Sequence, residues 1–182
     1  MSTIPPSPTL QPTARIPYPE EFSPAALADM AEARRLGTPN PDVYRIFDHH
    51  PALMRSFTEH WRVMFDDGVA DRDLKELARR RIANAVACVT CTAVAVEAGS
   101  IDEKLAASYA WRESDVLDVR EKAVLWLLDV LMGWDEDVDG AYRAMNDQFS
   151  PAEVLELGWF ISFNAGTIPF VRSWGLHAHS RS

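Results

Sequence analysis

The 182-residue sequence predicts an all-α fold, a single-domain helical bundle preceded by an extended proline-rich amino-terminal arm. Three observations carry this expectation. Helix start signals precede apolar segments spaced at three and four residues, no segment sustains the period-two alternation of a strand, and seven of the twelve prolines fall at or before Pro24. Proline fixes φ and removes a backbone donor, so residues 1–22 read as an extended arm and residues 23–182 as the helical domain.

Each helix has its own signals. Ser23 and Pro24 give a cap and a first-turn proline, and Gly37, Pro39 and Pro41 close the segment, which predicts a helix over Pro24–Leu36. Pro51 opens a second helix through Phe65, with Leu53, Phe57, Trp61, Met64 and Phe65 on one face and Asp66-Asp67-Gly68 as its end. Asp71 caps a third helix that reads as continuous to Ala98 with Gly99 as its stop, and the small side chains of Ile82–Val96 predict deep burial. Ser100 and Glu103 have capping-box spacing, Val119–Leu131 is strongly apolar, and Val138–Asn146 is amphipathic. Ser150, Pro151 and Glu153 start a last helix past Trp159, Phe160 and Phe163, which Pro169 is expected to kink or break.

Composition narrows the function classes. A hydrophobic share of 47% fills one core, and 18 basic against 27 acidic residues leave a net charge of −9. That surface repels phosphate backbones and anionic headgroups, so neither nucleic acid nor a membrane is expected as a partner. The first residues lack a basic cluster followed by an apolar run, and the apolar stretches near Ile82–Val96 and Ala123–Trp134 are interrupted by polar residues. A cytoplasmic protein is the expectation.

The chemistry concentrates at Cys88 and Cys91, the two cysteines of the chain. In C-x-x-C spacing on a helix they share a face, the arrangement of a dithiol redox pair; the alternative is a pair of small buried hydrophobes beside Ala85, Val86, Ala87 and Val94. Zinc is a poor fit, because one such pair supplies two ligands and there is no second.

Leu74–Gly99, LKELARRRIANAVACVTCTAVAVEAG, resembles the core motif of the carboxymuconolactone decarboxylase and alkylhydroperoxidase superfamily. Glu76, Cys88, Cys91 and Gly99 match that motif, and the resemblance extends through NPDVYRIFDHHPALMRSF and FSPAEVLELGWFISFNAGTIPFVRSWGL, from Asn40 to Leu176. It implies an alkylhydroperoxidase-like helical bundle, homo-oligomers of two, three or six chains, a small-molecule substrate and no cofactor. It also implies Cys91 as the attacking thiol, Cys88 as the resolving thiol and Glu76 as a proton shuttle. Two positions depart from the pattern: Ala95 stands where the motif has a histidine, and Thr90 where a tyrosine is often found between the cysteines. Without a base, a thiol of ordinary pKa, about 8.5, is only a few per cent ionised at neutral pH.

His49, His50 or His60 could replace that base by folding over the cysteines; otherwise His50 caps a helix and His60 lies at the surface. On a straight helix Glu76 and Cys88 would stand about 18 Å apart. The helix must therefore break near Asn84, or Glu76 must meet cysteines elsewhere, or it is a solvated charge beside Lys75, Arg79 and Arg80. Asn164 and Arg172 interrupt the apolar last helix, where Arg172 anchors an anionic substrate or forms a structural pair. His177 and His179 read as tail residues. Three functions follow: a thiol-dependent oxidoreductase acting on a peroxide or a disulfide; a cofactor-independent lyase, decarboxylase or isomerase of a small organic acid or lactone; and a non-catalytic oligomer binding an apolar ligand.

Overall fold

In the computed structural model the described residues are 15–36, 41–92 and 101–176. They form nine α helices and one 3-10 turn, and no strand occurs among them.

Helix α1, Pro24–Leu36, starts where the Ser23 hydroxyl accepts the Ala26 amide, and Ser23 itself donates to Asp48 from both its amide and its hydroxyl. This ties α1 to the chain just beyond α2, Pro41–Phe47. In α3, Pro51–Phe65, the core face is Met54, Phe57, Thr58, Trp61 and Met64. Leu53, expected on that face, is exposed, because Met54 takes the inward register one position later.

Asp71 caps α4, but the helix spans Arg72–Ala85 and does not continue to Ala98. The correction has a local cause. The Cys88 amide donates to the Ala83 carbonyl and the Ala87 amide to the Asn84 carbonyl, while Ala87 takes a left-handed φ of 52°. Those two bonds around one left-handed residue are a Schellman terminator, here with alanine in the seat glycine usually holds. The chain turns and resumes as a four-residue helix, α5, Val89–Thr92. Ala85, Ala87 and Val89 are therefore exposed at the turn, against the expected burial of the whole segment. Ser100 and Gly99 lie outside the described residues.

Helix α6, Ile101–Ala107, leads through the 3-10 turn Ser108–Ala110 to α7, Val119–Leu131, which opens with a capping box between Asp118 and Glu121. Asp137 caps α8, Val138–Gln148. The Ser150 and Glu153 capping box starts α9, Pro151–Ser173, as expected. Pro169 does not break α9. Proline removes one intrahelical bond, and buried Ile168 and Val171 hold the turns on either side of it against the core.

Helix α9 packs on α4, α5, α7 and α8, and α1 packs on α2 and α3. The main core joins Phe57 and Trp61 of α3, Ile82 of α4, Leu127 of α7 and Phe160 of α9, with Trp61 and Phe160 ring centroids 5.9 Å apart. A smaller cluster around Leu77, Leu105, Trp111 and Leu125 lies under α6. Of the proposed arm, residues 15–22 are described. Ile16, Tyr18 and Phe22 pack on the main core, and the Arg15 amide donates to the Trp174 carbonyl. Helix α9 is long and apolar enough to cross a membrane, with 33% of its most apolar window buried inside the bundle.

Candidate functional site

The terminator at the end of α4 builds the site. Twelve residues separate Arg79 from Cys91 along the chain, about 18 Å on a straight helix, yet the turn at Ala87 brings the Cys91 carbonyl to 2.7 Å from Arg79 Nη1. Cys88 and Cys91 are disulfide-bonded, with Cα atoms 5.3 Å apart, and both side chains are buried. The Cys91 amide points at Cys88 Sγ, 3.3 Å away. Thr90, between them, donates its buried hydroxyl to the Leu176 carbonyl at 3.0 Å, so the cysteine turn is fastened to the carboxyl-terminal end of the bundle.

Glu76 is not a solvated charge: it is 0% exposed and sits one helical turn before Arg79. Its two oxygens accept from Arg79 Nε at 2.7 Å and Nη2 at 2.6 Å, a bidentate pair in which the planar guanidinium fork matches the carboxylate. The guanidinium thus joins Glu76 to the backbone of Cys91.

Cys91 opens onto a cavity of about 30 Å³. Phe57 and Trp61 of α3 and Arg79 of α4 form one side, and Asn164, Thr167, Ile168 and Val171 of α9 the other. Space for one water-sized centre takes roughly 10–15 Å³, so the cavity holds a species of about two heavy atoms without rearrangement. Its polar groups are few. Asn164 donates to the Phe160 carbonyl at 2.8 Å, and the indole N–H of Trp61 is buried without a hydrogen-bond partner.

The other named residues lie elsewhere. His50 is the N-cap of α3, its Nδ1 accepting the Leu53 amide at 3.2 Å, and His49 Nε2 lies 2.6 Å from the Pro17 carbonyl. His60 is partly buried and not a surface residue: its ring stacks on Phe163 at 3.7 Å, and burial pushes its pKa down to about 4. Arg172 is exposed on the last turn of α9 and does not line the cavity, so it is no buried polar group needing a partner. Ala95, His177 and His179 lie outside the described residues. The structure therefore gathers Glu76, Cys88 and Cys91, and leaves His50 and Arg172 apart from them.

Two participants were not legible as site residues, Arg79 and Trp61, while Asn164, which stood out as a polar residue on the apolar last helix, does line the cavity. Arg79 carried a signal, its i,i+3 spacing to Glu76 on a helix, but that spacing equally describes a surface ion pair. Among the described residues no cluster of three or more His, Cys, Asp or Glu side chains could hold a metal ion.

A second hollow, about 380 Å³ and open to solvent, runs between α7, α8 and α9 and is lined by Leu131, Tyr142, Leu155 and Trp159 among others. It contains no carboxylate, imidazole or thiol. No family model, curated protein or solved structure matches the chain.

Proposed function

We propose that the chain is a thiol-dependent oxidoreductase of the alkylhydroperoxidase-like kind, in which Cys88 and Cys91 cycle between dithiol and disulfide. One observation carries the reading: the two cysteines lie within disulfide reach, and Cys91, unlike Cys88, is among the residues that line the cavity of about 30 Å³. In the proposed cycle the Cys91 thiolate attacks one peroxide oxygen. The O–O bond breaks, the leaving oxygen takes a proton and departs as water or alcohol, and Cys91 becomes a sulfenic acid. Cys88 then attacks that sulfur, the sulfenic oxygen leaves as water, and the disulfide forms. A dithiol reductant restores both thiols by exchange. The same pair can instead take two electrons from, or give them to, a partner's dithiol or disulfide.

The cavity volume favours a small oxidant or the O–O end of a larger one. The lyase alternative has less support, because both oxygens of Glu76 are held by Arg79 and the carboxylate is a poorly available proton carrier. Homo-oligomerisation fits the exposed stripe of α9, where Leu155, Trp159 and Phe170 are 74%, 60% and 55% exposed.

The test is thiol titration of the reduced native protein before and after a stoichiometric amount of hydrogen peroxide. Two reactive thiols that disappear together into an intramolecular disulfide are expected, with Cys91→Ser abolishing peroxide consumption and Cys88→Ser halting the reaction at a sulfenic acid. Thiols that neither alkylate nor oxidise in the native state would overturn the proposal.

A further inference from the structure

The oxidoreductase reading needs a group that favours the Cys91 thiolate, and Ala95 offers none. Among the described residues no histidine lines the Cys91 cavity. α3 presents Phe57 and Trp61 to it, and α9 presents Asn164, Thr167, Ile168 and Val171. His60, beside Trp61 on α3, is stacked on Phe163. The one charged side chain in that wall is Arg79, with Glu76 behind it on α4. Of the neighbouring α4 charges, Lys75 is engaged with Glu156 and Arg80 with Asp102.

We propose that Arg79 is the positioning residue of the cysteine pair, holding the Cys91 backbone through its carbonyl and supplying a permanent positive charge that stabilises the Cys91 thiolate. The inference rests on the oxidoreductase reading.

Three features support it. Arg79 is buried and its guanidinium has one orientation, fixed by two bonds to Glu76 and a third to the Cys91 carbonyl. Arg79 and Cys91 line the same small cavity and both are buried, so little water is present to weaken an attraction between guanidinium and thiolate. A buried ion pair contributes little net stability compared with two apolar side chains of the same volume, so packing alone gives no reason for these charges here. Arginine also stays protonated throughout the working pH range, whereas a histidine in the same place would lose its charge near neutrality.

Glu76 then has a role different from proton shuttling. It orients the guanidinium and partly cancels its charge, so Glu76 and Arg79 must act on the thiol in opposite directions.

The experiment measures Cys91 ionisation in full-length reduced protein carrying Cys88→Ser, by thiolate absorbance at 240 nm and by iodoacetamide alkylation rate from pH 5 to pH 10. Arg79→Gln is expected to raise the thiol pKa by about one unit, which is roughly tenfold slower alkylation at pH 6 with the rate recovered at pH 10. Arg79→Lys should retain most of the wild-type profile. Glu76→Gln should shift the profile downward and speed alkylation at pH 6. If Arg79→Gln does not fold, the pair Glu76→Gln/Arg79→Gln, which leaves no unpaired buried charge, must still show an upward shift. An unchanged pH profile in the folded Arg79 variants, or a Glu76→Gln protein slowed at acidic pH, overturns the assignment to Arg79 while leaving the oxidoreductase reading standing. Wild-type thiols that react with neither iodoacetamide nor peroxide overturn that reading itself.

Discussion

Replacing Ala87 with glycine perturbs the turn that delivers Cys91 to Arg79. Ala87 holds a φ of 52° in the αL seat of the α4 terminator and is exposed, so removing its methyl group empties no space in the core. An L-residue in that conformation is destabilised by about 1–2 kcal/mol, whereas glycine adopts it without the clash. Glycine gives back roughly 0.4–1 kcal/mol through the greater freedom of its unfolded chain, leaving a net gain on the order of 0.5–1 kcal/mol. With a urea m-value of about 2 kcal/mol/M, the midpoint should rise by roughly 0.3–0.5 M. Ala87→Val should move the other way by at least as much, since a β-branched residue is least tolerant of positive φ. The assay is urea unfolding followed by far-UV circular dichroism, with the disulfide kept intact in all three proteins. A glycine variant less stable than the wild type, or a valine variant equal to it, would refute the left-handed turn and the geometry that depends on it.

Three further outcomes test other parts of the structure. Thr90→Val keeps the shape of a buried side chain but leaves the Leu176 carbonyl without its 3.0 Å donor, and should lower stability by about 1–2 kcal/mol in the same urea assay. His60 has its pKa held at about 4 in the fold against about 6.5 when unfolded, so the unfolded chain takes up the proton first. The His60 contribution is thus complete above pH 6.5 and lost as pH falls through 4; allowing for solvent access to the ring it is about 1–2 kcal/mol, and His60→Phe should flatten the acid side of the stability profile. If Leu155 and Trp159 form a contact between copies of the chain, light scattering should show an oligomer that Trp159→Glu dissociates without loss of helicity; a monomeric wild type would refute that contact.

The helix ends were the most legible part of the fold. Ser23 with Pro24, Pro51, Asp71 and Ser150 with Glu153 each put a side-chain acceptor or a donor-free proline where the first turn needs it, a local effect that survives without tertiary contacts. Two features ran against the local helix signals, and for different reasons, although a break near Asn84 was one of the alternatives raised by the roughly 18 Å that a straight helix would put between Glu76 and Cys88. The stop at Ala85 depends on a residue type that usually continues a helix, so the composition Ala-Val-Ala-Cys argued for continuation while the backbone bonds to Ala83 and Asn84 argued for termination. Pro169 argued for a break, but the cost of one lost bond is smaller than the burial of Ile168 and Val171 around it.

Glu76 and Arg79 show most directly why a site is harder to read than a fold. In the sequence they stand among Lys75, Arg80 and Arg81, a charge run that describes a solvated helix face as well as it describes a buried one. What separates the two cases is what packs over that face. Here α5 joins α9 in packing on α4, and Cys91 reaches Arg79 only because the chain reverses at Ala87; had α4 continued to Ala98, Cys91 would have been carried about 18 Å from Arg79. Past the same reversal Cys88 and Cys91 are buried while Ala87 and Val89 are exposed. Cysteine spacing therefore pointed to the site, but its electrostatics follow from one left-handed residue that no motif marks. This coupling has a consequence for redox chemistry. The disulfide begins at Cys88, the residue immediately after the turn that Ala87 sets, so a substitution that destabilises the turn should alter the reactivity of Cys91 as well as the stability of the fold, even though residue 87 does not line the cavity.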